Sequence, residues 1–428
     1  MKILDYKDIF KKKPFNTLIQ NYFALSLLQL SNYVLPLITL PYLTRVLGPE
    51  KFGLIAFAQA ITQYLMLITE FGFNISATKN ISIYRDNNKK ITEIFSSVMI
   101  IKILILSIIF ILFIILFQIS DEFNSERTLY IYFFLGVIGW ALFPQWLFQG
   151  LEKMKFVSFF NILSKLIFTV SIFFFINSVE DYELVALIQS LGFVFSGIIS
   201  LLVAVNLANI KFVIPTKTEI IKHFKDSLVI FWSTISTNLY TSSNSIILGI
   251  LTNNIIVGYY SAAEKIIKAI LFFSMPLQQS LFPFMSKQFM ENRGKAIKIL
   301  RLILYVIGSL AVVIAILLSL FANSIVNLLL GVDYKESVII FNILSWIIPF
   351  GIINYTLGIQ GLVNLGYEKA FSKVVFIGGF IHIVILFLTI PKFGVLVVPI
   401  QWLLTELIIL ILIIKKMINV LKISSMNS

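Results

Sequence analysis

The chain contains no cysteine among its 428 residues. A disulfide framework, a thiol nucleophile and a thiolate metal site are therefore excluded. Histidine occurs only twice, at His223 and His382, and no histidine or carboxylate cluster stands at metal-ligand spacing, so neither a metal nor any other cofactor is expected. No nucleophile has a visible base beside it. The nearest approach to a nucleotide-binding loop, Arg293-Gly294-Lys295-Ala296, lacks both the upstream glycine and the following Ser or Thr, and no soluble domain is large enough to hold a nucleotide. Direct ATP coupling and enzymatic chemistry are not expected. A cleavable signal peptide is not expected either, because the basic start (Lys2, Lys7, Lys11, Lys12, Lys13) runs into an apolar stretch that is too long and has no small-residue cleavage site.

Charge is scarce too, at 13% of residues, against 58% hydrophobic and a mean hydropathy of +0.94. Such a balance belongs to a polytopic integral membrane protein. The net charge of +13 is spread over short loops instead of gathered in one patch, which argues against a nucleic-acid partner and for topology signals. Twelve apolar segments of spanning length follow one another, over roughly 17–45, 52–80, 93–117, 129–150, 157–177, 184–206, 227–251, 257–288, 297–321, 338–361, 371–390 and 395–414. With the amino terminus inside, the cytoplasmic segments carry 23 basic residues and the opposite loops five (Arg45, Lys51, Arg127, Lys335, Lys392). The positive-inside rule then puts both termini in the cytoplasm.

The polar stretch 209–226, with Pro215 and four lysines, divides the spans into six and six. The expected organisation is an all-α membrane protein of twelve transmembrane helices in two six-helix lobes, 1–208 and 227–428, joined by a cytoplasmic linker at 209–226 and enclosing a central cavity. The halves resemble one another. Leu47 to Gly53, leading into Ala56, Ala58 and Ile61, matches Thr252 to Gly258, leading into Ser261, Ala263 and Ile266. Phe148-Gln149-Gly150-Leu151 likewise recurs as Ile359-Gln360-Gly361-Leu362. Two parallel repeats place a substrate site at their interface, and such a chain needs no second copy to close its cavity.

One segment, 52–80, reads as a spanning helix with a wet side. Gln59, Gln63, Glu70 and Asn74 stand four, seven and four residues apart, so a continuous helix would stack them on one face. Glu70 lies about 30 Å from the outer end at ~1.5 Å per residue, where an ionisable group normally faces a bundle interior or a water-filled path. The segment beginning at Val257 brings in Glu264, Lys265 and Lys268. Glu264 and Lys268 form an i, i+4 pair in the favoured order. That pair is either self-neutralising and structural or part of a cationic patch for an anionic head group, with Lys265 left over to bind phosphate. Asn21, Gln29, Asn32 and Pro36 lie close to one face of the first span, and Ser233, Thr237, Tyr240 and Asn244 line the seventh. Arg45 and Lys79 stand at span ends; Lys102 and Lys165 lie about nine residues in from span ends, within stretched snorkelling range. His382 and Glu406 are equidistant from the last turn and are expected to meet as a pair.

At Leu40-Pro41-Tyr42-Leu43-Thr44-Arg45-Val46-Leu47-Gly48-Pro49-Glu50-Lys51-Phe52-Gly53 the chain resembles the Wzx-type oligosaccharide flippases, the polysaccharide-export branch of the superfamily that also holds the MATE multidrug antiporters. Glu70 to Lys79, Pro144 to Lys155 and Val257 to Lys265 continue the resemblance, which covers essentially the whole chain. It implies movement of an undecaprenyl-pyrophosphate-linked oligosaccharide repeat unit across the bacterial inner membrane for O-antigen or another surface polysaccharide, by alternating access. Membrane lipids surround such a protein, and a polysaccharide polymerase and a chain-length regulator are candidate partners. On this resemblance Arg45, Lys79, Lys265 and Lys268 become partners for diphosphate or sugar acids. Gln59, Gln63, Asn74, Asn32 and Asn244 become hydrogen-bonding groups for sugar, and Glu70 and Glu264 candidate ion-coupling groups. A lipid II flippase and a multidrug or cation antiporter remain as alternatives. The first would want a more arginine-lined cavity, and the second exposed acids.

Overall fold

The computed structural model describes residues 14–426. Within that range the side chains of Asn21, Gln29, Ser233, Thr237 and Tyr240, named above, lie outside the described residues. Every regular element among the described residues is helical, as expected of backbone that must satisfy its own hydrogen bonds in lipid. Nine helices among the described residues are long and apolar enough to cross a membrane. One of them runs from Leu30 to Ile83; its 54 residues make about 80 Å at ~1.5 Å per residue, far beyond one hydrocarbon thickness. The two expected segments that fall outside the nine, 227–251 and 257–288, are the ones richest in polar and charged side chains.

Three residues explain how the long helix is interrupted. Gly48, at φ 66° and ψ 175°, breaks the helix Pro14–Glu70 ahead of Pro49. Phe71 (φ 47°) and Gly72 (φ 79°) then separate it from the helix Phe73–Ile83. Gly72 has two reasons to be glycine: its left-handed backbone, and a Cβ that would fall 2.9 Å from Ser227 O. Glu70 and Asn74 therefore stand on opposite sides of a left-handed turn, and the single wet face expected over 52–80 is not continuous.

By internal contacts the chain forms two compact units, residues 1–36 with 61–234, and residues 37–60 with 235–428. The first unit is centred on the segment after Pro144, where Trp146, Leu147 and Phe148 are fully buried among Phe73, Ile81, Ile94, Phe95 and Val157. Thr78 Oγ1 lies 3.1 Å from Trp146 O and 3.2 Å from Gln149 Oε1, tying this segment to the helix Phe73–Ile83. Phe71 stacks on Phe224 and Phe231, with centroids 4.8 and 4.6 Å away, and Ser76 shares a 2.6 Å hydrogen bond with Ser227. The helices Arg127–Leu142 and Tyr182–Leu207 make the most extensive pairing, through small residues, with Gly139 and Gly197 letting the backbones touch. Between lipid-facing helices, where apolar burial gives no driving force, such close approach is the source of attraction.

The second unit contains the two repeated turns side by side. A Cβ on Gly53 would fall 1.8 Å from Asn254 O, and one on Gly258 would fall 2.0 Å from Pro49 O. With the matched segments offset by 205 residues, Pro49 corresponds to Asn254 and Gly53 to Gly258. Each turn thus receives the other's glycine, the reciprocal pattern of a two-fold axis. The same offset sets Glu264 and Lys268 in the places of Gln59 and Gln63. Gln360, the counterpart of Gln149 in the second glutamine motif, lies in a π-helical stretch, Thr356–Val363, and donates through Nε2 to Gln278 O at 2.7 Å.

A candidate cationic site on a buried polar network

The helix Asn254–Phe273 starts where Asn253 caps it, its side chain accepting from Ile256 N at 3.0 Å. Its apolar face, with Val257, Ala262, Ala263, Ile266 and Ile267 buried, locks it into the second unit. The remaining stripe carries three charges within two turns. Lys268 Nζ lies 3.2 Å from Glu264 Oε1 and 5.7 Å above the Trp402 ring, its side chain 29% exposed. Lys265 donates to Gln59 Oε1 at 3.1 Å and stands 4.8 Å over the Phe52 ring. Lys265 is thus not left over, because glutamine and an aromatic face hold it. Two ammonium groups and one carboxylate stand on this stripe, and the surplus is positive.

Behind the charges runs a line of buried polar groups. Tyr260, one turn before Glu264 and fully buried, donates to Glu264 Oε1 at 3.2 Å. Asn244 donates through Nδ2 to Tyr260 Oη at 2.8 Å, and its Oδ1 lies 2.8 Å from His382 Nε2. His382 Nδ1 lies 3.0 Å from Thr405 Oγ1, which itself donates to Gln401 O at 2.8 Å. Asn244 and His382 are wholly buried. Asn244, expected from sequence to meet sugar, stands here as an internal link between Tyr260 and His382. The expected pair of His382 with Glu406 does not form. His382 bonds to Thr405, and Glu406, one residue and about 100° further round the helix, accepts from Asn354 Nδ2 at 2.6 Å.

The first unit holds the other candidates. Glu70 accepts from Lys102 Nζ at 2.9 Å, with Lys102 only 1% exposed. Lys102 is therefore no snorkelling side chain; it neutralises the carboxylate read from sequence as a coupling group. Lys165 donates to Asn32 Oδ1. Asn74 is half-buried, while Gln63 and Lys79 are exposed. Arg45, in the second unit, is exposed and donates to Leu328 O, closing the turn that follows the helix Ala322–Leu329. Sequence reasoning missed Tyr260, Thr405, Trp402 and the partnership of Lys102. Tyr260 was within reach, one turn from Glu264 on the same face, whereas nothing in the spacing of Glu70 and Lys102 links them. Among the described residues, no group of three His, Cys, Asp or Glu could hold a metal ion.

The family model described as "Polysaccharide biosynthesis protein" matches residues 18–289, which is more than half of the chain. The chain belongs to this family. Two relatives, both carrying the name "Putative O-antigen transporter", agree over most of their length. The one from Escherichia coli strain K12 is 32% identical, with 87% of this chain and 89% of the relative covered. The one from Shigella dysenteriae is 29% identical, with 92% and 99% covered. In fold the chain is similar to a multidrug resistance MATE family transporter of the MOP superfamily in its inward-facing conformation, with a TM-score of 0.70 and 12% identity over 91% of this chain and 96% of that one. An outward-facing MATE structure matches with a TM-score of 0.57 and 14% identity, over 99% and 100%. These likenesses establish the fold. This member of the family is a multi-pass, all-helical membrane protein with a transporter architecture.

Proposed function

We propose that this protein is a flippase that carries a polyprenyl-diphosphate-linked oligosaccharide repeat unit from the inner to the outer leaflet of the bacterial cytoplasmic membrane, for O-antigen or another surface polysaccharide. Twelve spans, both termini in the cytoplasm, lobes at 1–208 and 227–428 and action as a monomer complete the reading, with alternating access as the mechanism. The observation that carries it is the stripe of Lys265, Lys268 and Glu264, with its net positive charge, on an otherwise apolar buried helix. A diphosphate has to exchange its water for cations and amides on the way across, while its polyprenyl chain stays in lipid. Lys268 pairs with a carboxylate of its own helix and is partly exposed, so a stronger anion competes for it. The relatives named as O-antigen transporters support the same cargo.

The test is genetic and chemical. In cells lacking their own copy, lipid-linked oligosaccharide accumulates and surface polysaccharide is lost; the wild-type chain restores both, and the Lys265→Ala, Lys268→Ala double variant does not. Restoration by the double variant makes the stripe structural. If nothing lipid-linked accumulates in the deleted cells, the flippase reading is wrong.

A further inference from the structure

The line from His382 to Glu264 can be assigned atom by atom. Glu264 accepts, so Tyr260 gives it its only proton, and Tyr260 Oη is left as the acceptor for an amide N–H of Asn244. The amide is thereby oriented with Oδ1 toward His382, and Nε2 must carry a proton. The opposite amide orientation would turn the tyrosine hydroxyl back and set its lone pairs against the carboxylate. The other ring nitrogen stands beside Thr405 Oγ1, with the Gln401 backbone also against the ring, and two arrangements are open there. Either Thr405 donates to a bare Nδ1 and releases Gln401 O, or it keeps Gln401 O and accepts from a protonated Nδ1. The second is an imidazolium. Switching between them takes one hydroxyl rotation and one proton from solvent.

The far end of the line is an ion pair that a phosphate disturbs. While Lys268 compensates Glu264, the carboxylate polarises Tyr260 weakly. An anion that takes the Lys268 ammonium removes the ion-pair partner of Glu264. Its charge then makes Tyr260 Oη a stronger acceptor, which polarises the Asn244 amide, which in turn favours a positive ring at His382; hydrogen-bond chains in a low-dielectric interior reinforce one another in this way. The elements packed on the helix Glu368–Phe393 bring few rivals. Asn244–Leu251 and Thr356–Val363 carry no titratable side chain, and Val397–Met426 carries Glu406, which is turned to Asn354, and then Lys415 and Lys416, about 15 Å or more along the axis at ~1.5 Å per residue. On its own helix the nearest charges are Lys373 and Lys392, nine and ten residues away. The helix Asn254–Phe273 contributes Tyr260, Glu264 and Lys268 through the line itself, and Lys265, which is turned to Gln59.

We propose that His382 is a proton-binding site linked to the Lys268–Glu264 pair, so that capture of a diphosphate at Lys268 loads one proton onto His382 through Tyr260 and Asn244. This rests on the head-group reading above and adds the coupled ion and its seat. By linkage the effect is reciprocal: one proton taken up per diphosphate makes binding about tenfold tighter per pH unit, up to about a hundredfold between pH 8 and pH 6. Because the chain has two histidines, His223→Gln leaves one ring to observe. The experiment is nitrogen NMR of ¹⁵N-histidine-labelled His223→Gln protein in lipid nanodiscs at pH 7, with binding followed separately by calorimetry. The probes are inorganic pyrophosphate and a short-chain polyprenyl diphosphate, which separate a free anion from a lipid head group. Expected without probe is a neutral ring with its proton on Nε2, and with either probe a ring protonated at both nitrogens. Tyr260→Phe is expected to bind probe while His382 stays neutral. A probe that binds without changing the ring overturns the linkage and leaves the head-group reading standing. So does a ring already charged before any probe is added, or a Tyr260→Phe protein that responds like the parent. If neither probe binds, the head-group reading fails and the linkage goes with it.

Discussion

Lys102 shows how much a single side chain depends on its surroundings. Its ammonium, 1% exposed, meets Glu70 at 2.9 Å, and removing one partner of such a pair strands a charge where solvation is poor. Lys102→Met is expected to lower stability by about 3 kcal/mol, and Lys102→Met with Glu70→Gln to recover most of the loss; thermal unfolding of the purified variants reads both. His223 makes a pH prediction outside the membrane. Burial disfavours its charged form and holds its pKa below the usual 6.5, with nearby Lys222 and Lys90 acting in the same direction and Asp226 and Glu219 opposing. The unfolded chain therefore binds this proton more readily. Stability is fully present above pH 6.5 and declines as the pH falls through the folded-state value. His223→Gln flattens that decline, which melting temperatures measured from pH 8 to pH 5 will show. Sequence pattern exposed Glu70 and His382 as unusual. It could not reveal their partners, since Lys102 is 32 residues from Glu70 and Asn244 138 from His382.

At the level of elements, the repeated turns carry the sharpest expectation. Gly53 and Gly258 each lie against backbone of the other turn, where a methyl would overlap a carbonyl oxygen. Gly53→Ala and Gly258→Ala are each expected to cost about 1–3 kcal/mol from overpacking. The two losses should be of similar size because the contact is reciprocal, and melting temperatures check both. A large loss in one variant alone would contradict the two-fold reading. The repeat itself was visible in the matched residues of the two turns. That the turns touch was not, because similarity between segments says nothing about the distance between them. Helix breaks were partly legible in the same way. Gly48-Pro49 announces one, but the turn at Phe71-Gly72 puts phenylalanine at φ 47°, and only the stacking of Phe71 on Phe224 and Phe231 accounts for it. A face drawn through Gln59, Gln63, Glu70 and Asn74 assumed a helix that this turn interrupts.

For the whole molecule, the basic residues predict a topology that reporters can read. Alkaline phosphatase fused after Ser125 is expected to be active and fused after Thr216 to be inactive, with both termini scoring as cytoplasmic; an active fusion at 216 would break the six-plus-six division. The sequence by itself determined the class of molecule and the family. Apolar length, loop charge and local motifs are properties of neighbouring residues, and the bilayer imposes helix on any long apolar run. Tertiary structure decided which charges are neutralised and by what. It gave Glu70 to Lys102 and held Lys265 with Gln59 and Phe52. It also separated His382 from Glu406 and joined His382 to Glu264 through Asn244 and Tyr260. Those outcomes turn on helix rotation and on packing between segments far apart in the chain, where a turn of about 100° sends adjacent residues to different partners.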